Sequence, residues 1–371
     1  MIDTICLLIP RNEMRYLQDI ANWELYSKTE QYQKFVRNPS KAEKDTGMYF
    51  PRLTGYSRRY SQDANIRIEF SIPKLLYHNN LDELEDKDFP KVVTTLQDRL
   101  RRMGVIVIKS VIENASVSSV HFSRNVELTN GYTASYLISE MNKVDLRKSF
   151  DFAKTRFMND GQSLYAHTTS HQMVIYDKIA DLKKGKKRAI DKTQTPYQQS
   201  LFADLHKDGN KPEILRFEIR LAKKQKMNKV LTDLGYEKNP TFKDIFSSEI
   251  SQKVVYQYWQ KIILERSNGL FTPELSQKEI LQIMFLVDKN LKPKKAIYLL
   301  GLFKLARDEQ GMRQLRSIVS KRVHDRTWYR MKKDMDYASE LITKNNLRDW
   351  VKGIDERLIN YKPYKQNKHE K

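Results

Sequence analysis

The chain reads as an α+β protein: an antiparallel sheet with two helices on one face, followed by an all-helical C-terminal part. Three observations lead there. Up to about residue 235, segments with the two-residue apolar period of strands alternate with short amphipathic segments. Beyond about residue 240 only the helical period remains. Turn and cap residues separate the segments, and the order of strands and helices suits a sheet layered against helices.

The elements follow in order. MIDTICLLIPRNEM carries acids and an early Pro10 where a signal peptide has a basic start and a cleavage site, so it reads as a first strand. NIRIEFSI (65–72) alternates as a half-buried strand does. A helix is expected over 89–103, with Asp88 as cap and Pro90 in the first turn. Val92, Val93, Leu96, Leu100 and Met103 then share one face, and Gly104 ends the helix. GVIVIKSVI (104–112) and SVSSVHFSRNVEL (116–128) read as adjacent strands joined by the turn ENAS. A second helix fits 132–143. SLYAHTT and HQMVIYDK (171–178) form another strand pair. KPEILRFEIRL (211–221) is a further strand with Glu218 and Arg220 on one side.

From about residue 246 five helical stretches follow, beginning with FSSEISQKVVYQYWQKIIL and ending with RTWYRMKKDMDYASELI; Gly311 is read as closing the third. Short helices with basic faces resemble a helix-turn-helix layout. The segment after Asn360, YKPYKQNKHEK, is polar and basic and is expected to be unstructured. The division expected is thus 1–235 for the sheet domain, 236–360 for the helical domain and 361–371 for a basic tail.

Composition narrows the partners. The 371 residues carry a net charge of +21, which favours a polyanion, nucleic acid before acidic membrane. No stretch approaches the ~20 apolar residues of a membrane span, and no membrane partner is expected. Cys6 is the one cysteine. That excludes disulfide scaffolds and cysteine-rich zinc sites, and suits a reducing cytoplasm. Basic residues gather at Lys183, Lys184, Lys186, Lys187 and Arg188, and again at Arg326, Arg330, Lys332 and Lys333. Both groups are candidate phosphate contacts, although basic helices are often merely solvated faces. Trp328 and Tyr329 are read as packing their helix.

FSIPKLLYHNN (70–80), VHFSRN (120–125), VIYDK (174–178), TPYQQ (195–199) and ILRFEIRL (214–221) occur in this order. In this the chain resembles the filamentous-phage gene II/gene X replication proteins and their plasmid relatives. The resemblance covers roughly residues 1–235, and the helical part more loosely. It implies an HUH/RRM-like endonuclease sheet and a replication initiator for a phage or plasmid origin. Such a protein nicks one strand, becomes joined to the 5′ end through a tyrosine, and leaves a 3′ hydroxyl for a polymerase. Host helicase and polymerase are then expected partners. By position the resemblance puts the nucleophile at Tyr197.

A phenol titrates near pH 10, so attack on phosphorus at neutral pH needs nearby positive charge. Mg²⁺ or Mn²⁺ is the expected cofactor, with Glu69, His121 and Glu218 as ligands from three separate strands. Each lies in an apolar strand pattern, where a lone charge is costly unless paired or metal-bound. The plain alternatives are a salt bridge from Glu218 to Arg216 or Arg220, and a hydrogen-bonded core role for His121. Lys178 is the candidate cation beside the phosphate or the tyrosine, with Asp177 orienting it or merely closing a turn. Arg124 and Asn125 are candidate DNA-backbone contacts. The chain departs from many rolling-circle nickases in lacking two histidines separated by one apolar residue. A rival class, an origin-binding initiator or repressor that does not cut, needs no catalytic cluster at all.

Overall fold

The structure is a computed structural model. It describes residues 1–16, 23–29, 32–58, 65–129, 131–146, 156–158, 162–183, 212–265, 270–272, 274–308, 311–343 and 347–365. The chain is α+β, with a large antiparallel sheet and many helices. It divides into two compact units that are not linear in sequence. The first holds 1–128, 168–255 and 361–371, and the second 129–167 and 256–360. The expected boundary near 235 is therefore not where the units part: a stretch from the middle of the expected sheet domain belongs with the helices.

In the first unit, β1 (Ile2–Pro10), β3 (Glu24–Lys28), β4 (Tyr32–Arg37), β5 (Arg52–Arg58), β6 (Asn65–Ser71), β8 (Ser116–Glu127), β11 (His171–Asp177) and β12 (Ile214–Leu221) join in one sheet. Their order is β3-β4-β5-β6-β1-β8-β12-β11, every neighbour antiparallel. The period-two pattern fixes the faces. Ile5, Leu7 and Ile9 lie opposite Phe70, Ile68 and Ile66, and all six are fully or nearly fully buried. After the short α1 (Lys41–Asp45) and α2 (Ile72–Tyr77) comes α3 (Phe89–Arg102), and the apolar face meets aromatic side chains there: the Phe242 ring stands 6.1 Å from Phe70 and 5.2 Å from Phe89. The alternate residues, among them His121, Glu218 and Arg220, share the opposite face.

Helix α3 matches the expected span, and Val92, Val93, Leu96, Leu100 and Met103 are all buried. Asp88 does not cap it with its side chain. Its carboxylate instead accepts from the Glu85 amide (2.8 Å) and the Tyr77 hydroxyl (2.5 Å), closing the preceding 3-10 turn. Gly104 follows at φ +80°, a left-handed position that suits glycine.

The expected strand 104–112 is mostly not a strand. Only β7 (Val105–Ile106) is a paired strand, lying against β2 (Arg15–Tyr16), and after Val107 and Ile108 the chain turns into α4 (Lys109–Glu113). Val107 and Ile112 are both buried, the spacing a strand-to-helix switch produces and a period-two count cannot see. The tail also departs from expectation over Tyr361–Lys365. The Tyr361 hydroxyl lies 2.8 Å from Ser251 Oγ; the Tyr364 carbonyl accepts from the Glu83 amide, and the Tyr364 amide donates to the Glu83 carboxylate, each at 2.9 Å. Two tyrosines give this short basic stretch apolar surface to bury, and Tyr364 packs with Leu81, Ile179, Leu182 and Ile214.

The second unit contains α5 (Ala134–Asn142), capped by Thr133, the hairpin of β9 (Arg156–Met158) and β10 (Ser163–His167), and the C-terminal helices. Helices Gln277–Val287, Pro293–Arg307 and Asp325–Thr343 share a core of Ile280, Met284, Leu291, Ala296, Leu299, Phe303, Ala338, Leu341 and Ile342. Gly311 opens the next helix where it was expected to close the previous one. Its φ is +59°, and a Cβ there would stand 2.5 Å from Lys143 Cβ, so glycine is required by both backbone and space. Among the described residues, no helix is long and apolar enough to cross a membrane.

Candidate functional site

The polar face of the first unit's sheet gathers its chemistry where β1, β8 and β12 run side by side. His121 on β8 lies opposite Thr4 on β1 and Arg220 on β12, and Glu218 lies opposite Ser123. The β1–β8 pairing slips between Ile2 and Thr4. Asp3 is the extra residue of that bulge, and bulges re-aim a side chain that regular alternation would send elsewhere. Asp3, His121 and Glu218 thereby bring one ligand atom each within 4.8 Å of one another, a spacing that can hold a divalent ion.

The cluster sits among cations. Arg220 Nε donates to Glu218 Oε1 at 2.8 Å, and His121 Nδ1 lies 3.5 Å from the same oxygen. The Tyr176 hydroxyl donates to Glu218 Oε2 at 3.3 Å. Burial alone would raise the Glu218 carboxyl; Arg220 and the His121 ring outweigh it and hold the group well below the usual carboxylate range. Glu218 is thus kept ionised, the form a metal ligand needs. Arg216, fully buried, pairs with Asp3 Oδ1 at 2.6 Å and donates to Ser123 Oγ (2.9 Å), Asn125 Oδ1 (3.2 Å) and the Asn80 carbonyl (3.1 Å). The Tyr176 hydroxyl is pushed well above its ordinary value by burial, with Glu218 adding to that and Arg216 opposing it.

Lys178 begins α6 (Lys178–Lys183) and is 1% exposed. Its ammonium stands 5.8 Å from the centre of the Tyr176 ring. Burial first, then the charge of Arg216, lowers its pKa to about 7, against the pull of Asp181, Asp3 and Glu218. Asp177 closes the turn: its Oδ1 accepts from the Ala180 amide at 2.9 Å, capping the short helix.

The sequence-derived candidates fare differently. His121 and Glu218 come together as expected. Glu69 does not join them: it lies opposite Cys6 and Arg52, and its carboxylate pairs with Arg67 at 3.4 Å. The third member is Asp3, which the strand patterns alone do not single out. Its signal was present, since an acid interrupts the apolar run IDTICLLIP just as Glu69 interrupts its own strand. The salt-bridge alternative for Glu218 is also realised, with Arg220 as the partner, while Arg216 turns to Asp3.

Arg124 and Asn125 are buried and engaged inside the protein. Arg124 pairs with Glu83 at 2.5 Å, and Asn125 donates to the Leu81 carbonyl at 2.7 Å. Tyr197, Lys184, Lys186, Lys187 and Arg188 lie outside the described residues, as does the side chain of Lys183. In the second unit Arg326, Arg330 and Lys333 are exposed, Lys332 is half-buried, and Trp328 is packed at 1% exposure. No family model, no curated protein and no solved structure matches the chain.

Proposed function

We propose that the chain is a replication initiator of the rolling-circle kind, a nickase that cuts one strand of a phage or plasmid origin by tyrosine transesterification. The observation that carries this reading is the Asp3–His121–Glu218 cluster on the polar face of the sheet, bordered by Arg216, Arg220 and Lys178. One imidazole and two carboxylates suit Mg²⁺ or Mn²⁺, and the partly exposed guanidinium of Arg220 beside them suits a phosphodiester, with Arg216 and Lys178 adding positive charge from beneath. A divalent ion bound there would polarise a phosphate oxygen.

Tyr197 is the nucleophile in this reading. Its phenolic oxygen gives up its proton and bonds to phosphorus, the P–O3′ bond breaks, and the departing oxygen takes up a proton to become the 3′ hydroxyl. The 5′-phosphotyrosine conserves the ester for later strand joining, in which a 3′ hydroxyl attacks and the phenol leaves. Lys178, with a pKa near neutrality, is suited both to steady charge on the phosphate and to pass a proton. The sheet would then serve as an HUH-like endonuclease platform lacking the histidine pair. Arg326, Arg330, Lys332 and Lys333 would grip the origin duplex through a helix-turn-helix-like unit. Host helicase and polymerase in the cytoplasm would extend the freed end.

A second reading has one observation in its favour. Glu218 and Asp3 already hold arginines, so the cluster also satisfies itself as a structural ion network. The chain would then bind an origin without cutting it. One experiment separates the two: supercoiled origin plasmid incubated with protein and Mg²⁺ or Mn²⁺, beside Tyr197→Phe and Glu218→Gln. The nickase reading expects relaxed product and a 5′ protein adduct, both lost in Tyr197→Phe while duplex binding persists. Glu218→Gln should weaken Mn²⁺ binding about 10–100-fold by titration. Normal cleavage by Tyr197→Phe, or Mn²⁺ binding unchanged in Glu218→Gln, sinks the assignment.

A further inference from the structure

The sheet does not end at the metal-type cluster. Its polar face continues from β8 across β1 and β6 to β5, β4 and the edge strand β3. The register names what stands on that face. Arg67 and Glu69 come from β6, with Arg52, Thr54 and Tyr56 on β5 opposite or alongside them. Lys34 on β4 lies opposite Tyr56, and Glu24 lies opposite Val36. The β3–β4 pairing slips between Leu25 and Ser27, at Tyr26. Lys34 Nζ stands 4.4 Å over the Tyr26 ring, which places that ring on the same face.

Val36 and Thr54 on this face are buried, but the two tyrosines beside them present aromatic surface to solvent: Tyr26 is 66% and Tyr56 38% exposed. The charge beside them is mostly positive: Lys34, Arg52 and Arg67 against Glu69, already tied to Arg67, and Glu24 at the rim. The Arg52 Nε is buried without a hydrogen-bond partner among the described residues. Phenol rings alternating with cations on a twisted sheet are what a single nucleic-acid strand uses: bases stack on the rings and phosphates meet the cations. A duplex offers its phosphates but keeps its base faces stacked, so it can use only half of this chemistry. The chain's charge of +21 supplies the long-range attraction.

We propose that the β3–β6 part of the sheet is a platform for single-stranded DNA, with Tyr26 and Tyr56 as stacking rings and Lys34, Arg52 and Arg67 as phosphate contacts. Resting on the nickase reading, the inference assigns a path for the strand leading away from the Asp3–His121–Glu218 cluster. Five strand-to-strand steps separate β3 from β8, about 24 Å at the usual spacing, room for a run of several nucleotides.

The test is fluorescence anisotropy of a short labelled oligodeoxythymidine with the full chain in EDTA, so that no cleavage is needed for the readout. The double variant Tyr26→Ala/Tyr56→Ala should bind at least about tenfold more weakly. Tyr26→Phe/Tyr56→Phe, which keeps the rings, should bind within about twofold of the parent protein. A duplex probe should lose far less. Both tyrosines are exposed, and an unchanged thermal midpoint and circular dichroism spectrum will show that the variants fold. Unchanged affinity of the alanine variant, or an equal loss on duplex and single strand, overturns the platform. Loss of single-strand binding in a protein that never nicks supports the platform while removing the nickase reading, so the two stand or fall separately.

Discussion

The centre of the sheet in the first unit and the helical core of the second treat charge in opposite ways. Where β1, β8 and β12 meet, Arg216, Glu218 and Lys178 are almost completely enclosed, with Asp3 and His121 at the margin. The helical core is built from Ile280, Met284, Leu299, Phe303 and their neighbours, and its basic residues Arg326, Arg330 and Lys333 face outward. Burying ions costs several kcal/mol apiece unless each finds a partner, so a chain gains nothing in stability by gathering them where leucine would fit. The contrast teaches where chemistry is to be sought: in the region that folds at a cost, not in the region that folds cheaply.

The comparison is sharpest if one side chain is removed from each region. Arg216→Met should lose about 3–5 kcal/mol, because Asp3 and Asn125 are left facing an apolar group. Phe303→Ala in the helical core should lose a similar amount, about 3–5 kcal/mol, for the different reason of a cavity. Urea unfolding of both reads this out. Adding Asp3→Asn to Arg216→Met should recover part of the loss, since the stranded carboxylate goes, whereas no polar change rescues Phe303→Ala. An Arg216→Met protein as stable as the parent would erase the contrast.

Lys178 offers a smaller and pH-dependent effect. Its folded pKa of about 7 lies below the ordinary 10.5. The unfolded chain therefore binds more protons between those values, and stability rises with pH across that window. The cost of burying the charged amine is fully present below about pH 7 and gone by about pH 10.5. Lys178→Met should accordingly be the more stable protein at about pH 6, by on the order of 1–2 kcal/mol after solvent relaxation, with the gap closing as pH rises. A constant gap measured across the range would place the amine in water.

The smallest stability effect belongs to the exposed arginines. Arg326→Ala and Arg330→Ala should each move stability by no more than about 0.5 kcal/mol. On the initiator reading, each should also lower the salt slope of duplex binding by about one. Unchanged slopes would return these residues to an ordinary solvated face.

Much of the secondary structure was legible because it is local. The α3 stripe and the strands at 65–71, 116–127, 171–177 and 214–221 are set by spacing and by residues a few positions apart. Residues 104–112 read as a strand because the run is short and apolar; buried Val107 and Ile112 are five apart, a spacing that one continuous strand does not put on one face. That His121 and Glu218 carry polar groups within apolar strands was legible from their strand pattern. Asp3 was not, because its place depends on a bulge between strands more than a hundred residues apart.

By itself, then, the sequence determined the net charge of +21 and the inventory of the site: acids, a histidine and a lysine set into apolar strands where they are costly to leave alone. Only tertiary structure decided which of them meet. Strand order brought β12 between β8 and β11, and the β1 bulge exchanged Asp3 for the expected Glu69. The physical reason is that strand periodicity states which face a side chain takes but carries no information about which strand lies next to it.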